Sequence, residues 1–104
     1  MMIDMNGAER HKMVCYQLNA MYEQKNKAYG DSFHKTFQKW GLPTALIRLG
    51  DKMSRLENIA LQKEAFDLGG ESFKDTLLDL ANYAIMTVME LDADEQPVPW
   101  EKEN

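Results

Sequence analysis

The sequence is short of the residues from which most small catalytic centres are built. Of its 104 residues one is cysteine, Cys15, and two are histidine, His11 and His34. A single cysteine excludes an internal disulfide and a cysteine-rich zinc site, and two histidines make a poor basis for a histidine metal centre. No glycine-rich phosphate loop of the Walker type and no GxGxxG fingerprint is present. No apolar run approaches the roughly 20 residues that span a bilayer. The N-terminus lacks the basic-then-apolar order of a signal peptide. The expectation is a soluble, cytoplasmic protein without a membrane partner. Bases are also in deficit, 12 against 17 acids, for a net charge of -5. Placed along the chain, that number changes meaning. Residues 90–104 hold six acids and one base, whereas residues 1–89 hold 11 of each. Residues 1–63 are net basic and residues 64–89 net acidic. The bases are interleaved with acids and form no long stripe, which excludes a protein that tracks a nucleic-acid backbone.

What is there is helical. Glycine and proline fall at the ends of periodic segments, and no stretch alternates with period two. The spacing predicts a first helix from about Ala8 to Tyr29, stopped by Gly30. A short helix follows, started by Asp31 and Ser32 and carrying Phe33, Phe37 and Trp40 on one side. Gly41 and Pro43 introduce a second long helix, Ala45 to about Lys63. Gly69-Gly70 breaks the chain before a third, from about Ser72 to Leu91. The fold class is all-α, three long helices and one short one, a bundle completed by oligomerisation. Residues 1–95 form a single helical domain and 96–104 an extended acidic tail. The expected core stripes are Val14, Leu18, Met21, Tyr22, Ala28 and Tyr29 on the first helix. On the second they are Leu46, Leu49, Gly50, Met53, Leu56 and Ala60, with Gly50 allowing a close helix approach. On the third they are Phe73, Leu77, Leu80, Ala84, Val88 and Leu91. Apolar residues on more than one side of these helices exceed what a 104-residue chain covers alone. A homodimer or larger is expected, with the site at or near a subunit interface.

Polar residues that interrupt these stripes are the candidates for function. Lys25 is either a lysine whose stem packs while its ammonium reaches water, or a cation held for a phosphate. Asn26 beside it can read a base edge or face solvent. On the second helix Arg48, Asp51, Arg55 and Asn58 share one side. Asp51 and Arg55 suit an ordinary ion pair one turn apart. Arg48, Lys52 and Arg55 around Asp51 equally suit a polyphosphate with its metal. On the third helix Glu71, Asp75, Asp79 and Asn82 stack. Ser72-x-x-Asp75 fits a helix cap, which explains Asp75 and leaves Asp79 unexplained. Carboxylates one turn apart can hold Mg²⁺ together with substrate phosphates. Cys15 reads as a buried structural thiol.

Three blocks in this order resemble the nucleotide modification associated domain 1 family of phages and prophages. They are Lys25-Asn26-Lys27-Ala28-Tyr29-Gly30-Asp31-Ser32-Phe33, then Arg48-Leu49-Gly50-Asp51-Lys52-Met53-Ser54-Arg55-Leu56. The third is Glu71-Ser72-Phe73-Lys74-Asp75-Thr76-Leu77-Leu78-Asp79-Leu80-Ala81-Asn82-Tyr83-Ala84. The resemblance spans about residues 13–91. That family is distantly similar to the all-α nucleoside triphosphate pyrophosphatases, the MazG and dimeric dUTPase group. The resemblance implies a MazG-like bundle and an acid pair for Mg²⁺ at Glu71 and Asp75. The earlier helix lacks that group's Glu-Glu-x-x-Glu block and offers Asp51 among bases, with Glu57 further on.

The expected activity is Mg²⁺-dependent pyrophosphohydrolysis of ordinary or modified nucleotides in a host cytoplasm, with Glu71 and Asp75 joined by Asp51 or Asp79 at the metal. Lys25, Arg48, Lys52 and Arg55 would hold phosphates, and Asn26, Tyr29, Asn82 and Tyr83 would meet sugar or base. One alternative is a non-catalytic binder that sequesters a nucleotide or a nucleotide-derived defence signal. The other is a structural or adaptor bundle.

Overall fold

A computed structural model describes residues 5–62 and 71–95. Among these, all regular structure is helical: α1 (Gly7–Tyr29), α2 (Ser32–Trp40), α3 (Leu42–Leu61) and α4 (Glu71–Glu95). The expected break at Gly69-Gly70 and the expected tail at 96–104 lie outside the described residues. The chain divides into two compact units, Met1–Ser32 and Phe33–Asn104.

The first unit is essentially α1. Asn6 starts it, its side-chain oxygen accepting the Glu9 N–H at 2.8 Å, so one of the orphan donors of the first turn is satisfied. Gly30 ends it at φ 62, with its N–H donated to the Asn26 carbonyl. Asp31 follows at φ 60 and its N–H also reaches the Asn26 carbonyl, at 3.2 Å. Two successive left-handed residues turn the chain sharply, and an aspartate tolerates that region better than most side chains. Of the stripe expected on this helix, Leu18 is buried, Met21 and Tyr22 are half-buried, and Val14, Ala28 and Tyr29 are exposed. Cys15 corrects its own expectation. It is exposed, and its Sγ lies 3.6 Å from His11 Nδ1 one turn earlier.

The second unit is built on α3 and α4. Gly41, at φ 74, donates its N–H to Phe37 O at 2.7 Å and sets the corner from α2 into α3. Pro43 sits in the first turn of α3, where its missing N–H costs nothing. The helix therefore starts at Leu42, earlier than the apolar spacing indicated. Arg55 meets Thr76, whereas Lys52, a turn earlier, meets Asp79 and Tyr83 further on. The two helices therefore run antiparallel. Alongside them, α2 is held by its Phe33 ring, 5.7 Å from Tyr83, and by His34 Nδ1, 2.8 Å from both carboxylate oxygens of Glu90.

The core of this unit is small and mixed. Phe37, Ala45, Leu56, Ile59 and Leu78 are buried, and so are Thr44, Thr76, Asn82 and Thr87. The threonine hydroxyls are satisfied locally. Thr76 donates to Ser72 O and Thr87 to Tyr83 O, each at 2.7 Å, while Thr44 donates to Thr36 O at 3.3 Å. The stripe assigned to the core from spacing lies largely outside it. On α4, Phe73 and Leu80 are half-buried, but Leu77, Ala84, Val88 and Leu91 are exposed. Thr76, Asp79, Tyr83, Thr87 and Glu90 occupy the inner side instead, because they carry the hydrogen bonds and ring contacts of the packed helices. On α3, Leu56 is buried and Leu49 half-buried, while Leu46 and Met53 are exposed. No helix of the described residues uses the close approach expected at Gly50: nothing lies within 4 Å of where its Cβ would stand.

Candidate functional site

The C-terminal half of α3 and the first turn of α4 enclose an open groove of about 560 Å³. Its lining is Asp51, Lys52, Ser54, Arg55, Asn58, Ile59, Gln62 and Ser72. One apolar side chain among hydroxyls, amides and charges makes this a surface for a polar ligand. The positions follow from the helix period. Asp51, Arg55, Asn58 and Gln62 recur at steps of four, three and four, so they form one polar stripe along α3.

Arg55 is the best-placed group. Its Nε–H is donated to Thr76 Oγ1 at 3.2 Å, and that hydroxyl is donated to the Ser72 carbonyl at 2.7 Å. Buried Thr76 thus works as a relay that fixes the guanidinium plane through one of its five N–H donors. The remaining donors form the fork that matches phosphate or carboxylate oxygens. Lys52 is held differently. Its Nζ is 3.5 Å from Asp79 Oδ2 and 5.9 Å from the centre of the Tyr83 ring. An acid and an aromatic face both favour the ammonium there. Ser72 lies in the first turn of α4, at the helix end that favours negative charge. It is the second helical residue, and not the residue before the helix as the capping pattern suggested.

The structure brings together only part of the expected site. Asp51, Lys52 and Arg55 line the groove, and Asp79 and Tyr83 stand behind Lys52. Arg48 is exposed on α3 and is not among the lining residues. Glu71 and Asp75 are exposed on α4, and Asn82 is buried, at 8 % exposure. Lys25, Asn26 and Tyr29 belong to the first unit. There Lys25 and Tyr29 are exposed, and the Asn26 carbonyl closes the end of α1. Among the described residues no group of three or more His, Cys, Asp or Glu side chains could hold a metal ion. Asp51, Glu71, Asp75 and Asp79 thus form no such group among the described residues, and Asp79 faces Lys52.

Ser54, Ile59, Gln62 and Ser72 line the groove without having been named as site residues from the sequence. Gln62 was within reach, since it continues the polar stripe through Asn58. Ser72 was not, because only the pairing of α4 with α3 carries it there.

Helices and groove together define a small all-helical protein with a polar pocket whose lining carries two cations against one acid. The chain belongs to the nucleotide modification associated domain 1 family, whose sequence profile matches residues 25–91. The match takes in every groove residue and all the candidates above, and leaves out the part of α1 before Lys25. No curated protein and no solved structure matches the chain.

Proposed function

We propose that this chain is a nucleotide-handling protein that binds nucleotide phosphates in the α3–α4 groove and holds them without turnover. The observation that supports this reading is the Arg55–Thr76–Ser72 relay, which orients a guanidinium at a polar groove before any ligand arrives. Preorganisation matters because ordering a long, charged side chain on binding costs about 0.5–1.5 kcal/mol. Arg55 takes two phosphate oxygens through its fork, and Lys52 adds a point charge one turn earlier. Asn58 and Gln62, each with amide donors and an acceptor, meet the edge of the base. In this reading the chain keeps a helical frame like that of the all-α pyrophosphatases it resembles and captures its ligand.

The test is calorimetric titration of the full chain with nucleoside mono-, di- and triphosphates, with Mg²⁺ and with chelator. The expected result is binding that tightens with phosphate number, persists in chelator and collapses in Arg55→Ala. Absence of binding and of any melting shift across the panel would leave the adaptor reading in its place. Pyrophosphate release in the presence of Mg²⁺ would replace capture by hydrolysis.

A further inference from the structure

The side of the α3–α4 pair away from the groove presents an apolar seam. On α4 it consists of Leu77, Ala81, Ala84, Val88 and Leu91, at steps of four, three, four and three. That is the 3.5-residue repeat of a helix that pairs with another helix. Yet Leu77 is 43 % exposed and Val88 55 %. Leu42, Leu46 and Met53 make the matching strip on α3, with Leu46 at 59 %. At about 100° per residue, each strip lies roughly a quarter to a third of a turn round from the residues that join the two helices. Because the helices run antiparallel, both strips turn to the same side, and the groove residues of α3 occupy its opposite side.

We propose that this seam is the interface of a homodimer in which α4 packs antiparallel against α4 of a second copy. The occupant follows from the charges at the seam's ends. Lys74 and Asp92 stand about five helical turns apart, at the same angle beside the apolar row, and both are exposed. An antiparallel copy sets each Lys74 against the Asp92 of the other chain at both ends of the seam. A parallel α4–α4 pairing would put both lysines at one end of the seam and both aspartates at the other. Ala81 and Ala84 at the centre let the two backbones approach, while Leu77, Val88 and Leu91 fill the flanks. The dimer therefore forms away from the groove, which stays open in each copy. This separates the proposal from the nucleotide reading: either can fail without the other.

Sedimentation equilibrium of the full chain, with calorimetric binding alongside, tests it. The wild type is expected at twice its 12.0 kDa mass at micromolar concentration. Lys74→Glu and Asp92→Lys are each expected to weaken the dimer by about tenfold, and the double exchange to restore it. Neither single change damages the helix, since an acid suits the start of α4 and a base suits its end. Carbodiimide treatment should join Lys74 to Asp92. Within one helix these residues are separated by roughly 27 Å at about 1.5 Å per residue, so such a link comes from two copies. A chain of 12.0 kDa at all concentrations, or a cross-linked dimer without that link, overturns the proposal.

Discussion

The two sides of the α3–α4 pair are made from the same helices and differ in almost everything else. One side collects Asp51, Lys52, Arg55, Asn58 and Gln62 beside Ser72 and is arranged by hydrogen bonds. The other collects leucine, methionine, valine and alanine and is arranged by nothing within the described residues. The core between them is too small to use that apolar surface, and its place is taken partly by threonines bonded to their own helices. The difference teaches that the hydrophobic period of a helix need not point to the core of its own chain. Here the inner side of α4 is the more polar one, and the side with the cleaner repeat faces outward.

The largest expected effect breaks the polar side. Replacing Arg55 by alanine removes charge-assisted hydrogen bonds worth about 1.5–3 kcal/mol, so nucleotide affinity should fall by about 10- to 100-fold in calorimetry. The dimer should persist by sedimentation, because the seam is untouched. An unchanged affinity would remove the groove as the binding site. Thr76→Val sharpens the same point with a smaller effect. It keeps the shape of a buried side chain that is 2 % exposed but deletes the hydroxyl that holds Arg55. The charge remains and its orientation is lost. Affinity should drop by about three- to tenfold, and stability by about 1 kcal/mol by denaturant titration.

Much of the helical frame was readable from residue order, and the reasons are local. Gly30, Gly41 and Pro43 act on their own backbone, so α1, α2 and α3 start and stop within a few residues of where these punctuate the chain. The partition of faces was not readable. Leu77, Val88 and Leu91 have the spacing of a core stripe, and nothing in α4 alone says whether the partner helix belongs to the same chain. The site divides in the same way. Asp51, Lys52 and Arg55 were found because helical spacing gathers them on one element. Thr76, which directs Arg55, is 21 residues away, and His34 is 56 residues from the Glu90 it bonds. Pairings of that kind arise from packing and leave no periodic trace. The acids at Glu71 and Asp75 were singled out by resemblance to a metal site; on α4 they are exposed, and among the described residues they join no group of three.

His34→Ala probes the frame that both sides share. It deletes the bond between α2 and Glu90, whose side chain is only 12 % exposed, and leaves that carboxylate half-buried without its partner. The expected cost is about 1–2 kcal/mol in denaturant titration. Nucleotide affinity should stay within about twofold, since neither residue lines the groove.

The smallest effect has the opposite sign. Gly50 sits in the middle of α3, on the edge of the outward side, where the sequence pattern suggested a close helix contact. A Cβ added there meets nothing within 4 Å, so the position carries the entropic cost of glycine in a helix without a packing gain. Gly50→Ala should stabilise the chain by about 0.5–1 kcal/mol. For a chain of this size that is a rise in Tm of about 2–8 °C. The same variant reports on the seam. If α4 makes the main contact with the second copy, alanine at 50 raises Tm and leaves the dimer constant unchanged. If a partner backbone instead lies against α3 at Gly50, the added methyl weakens association even as it stabilises the helix. Thermal melting and sedimentation on one variant thus separate a glycine that is merely tolerated from one that holds an interface open.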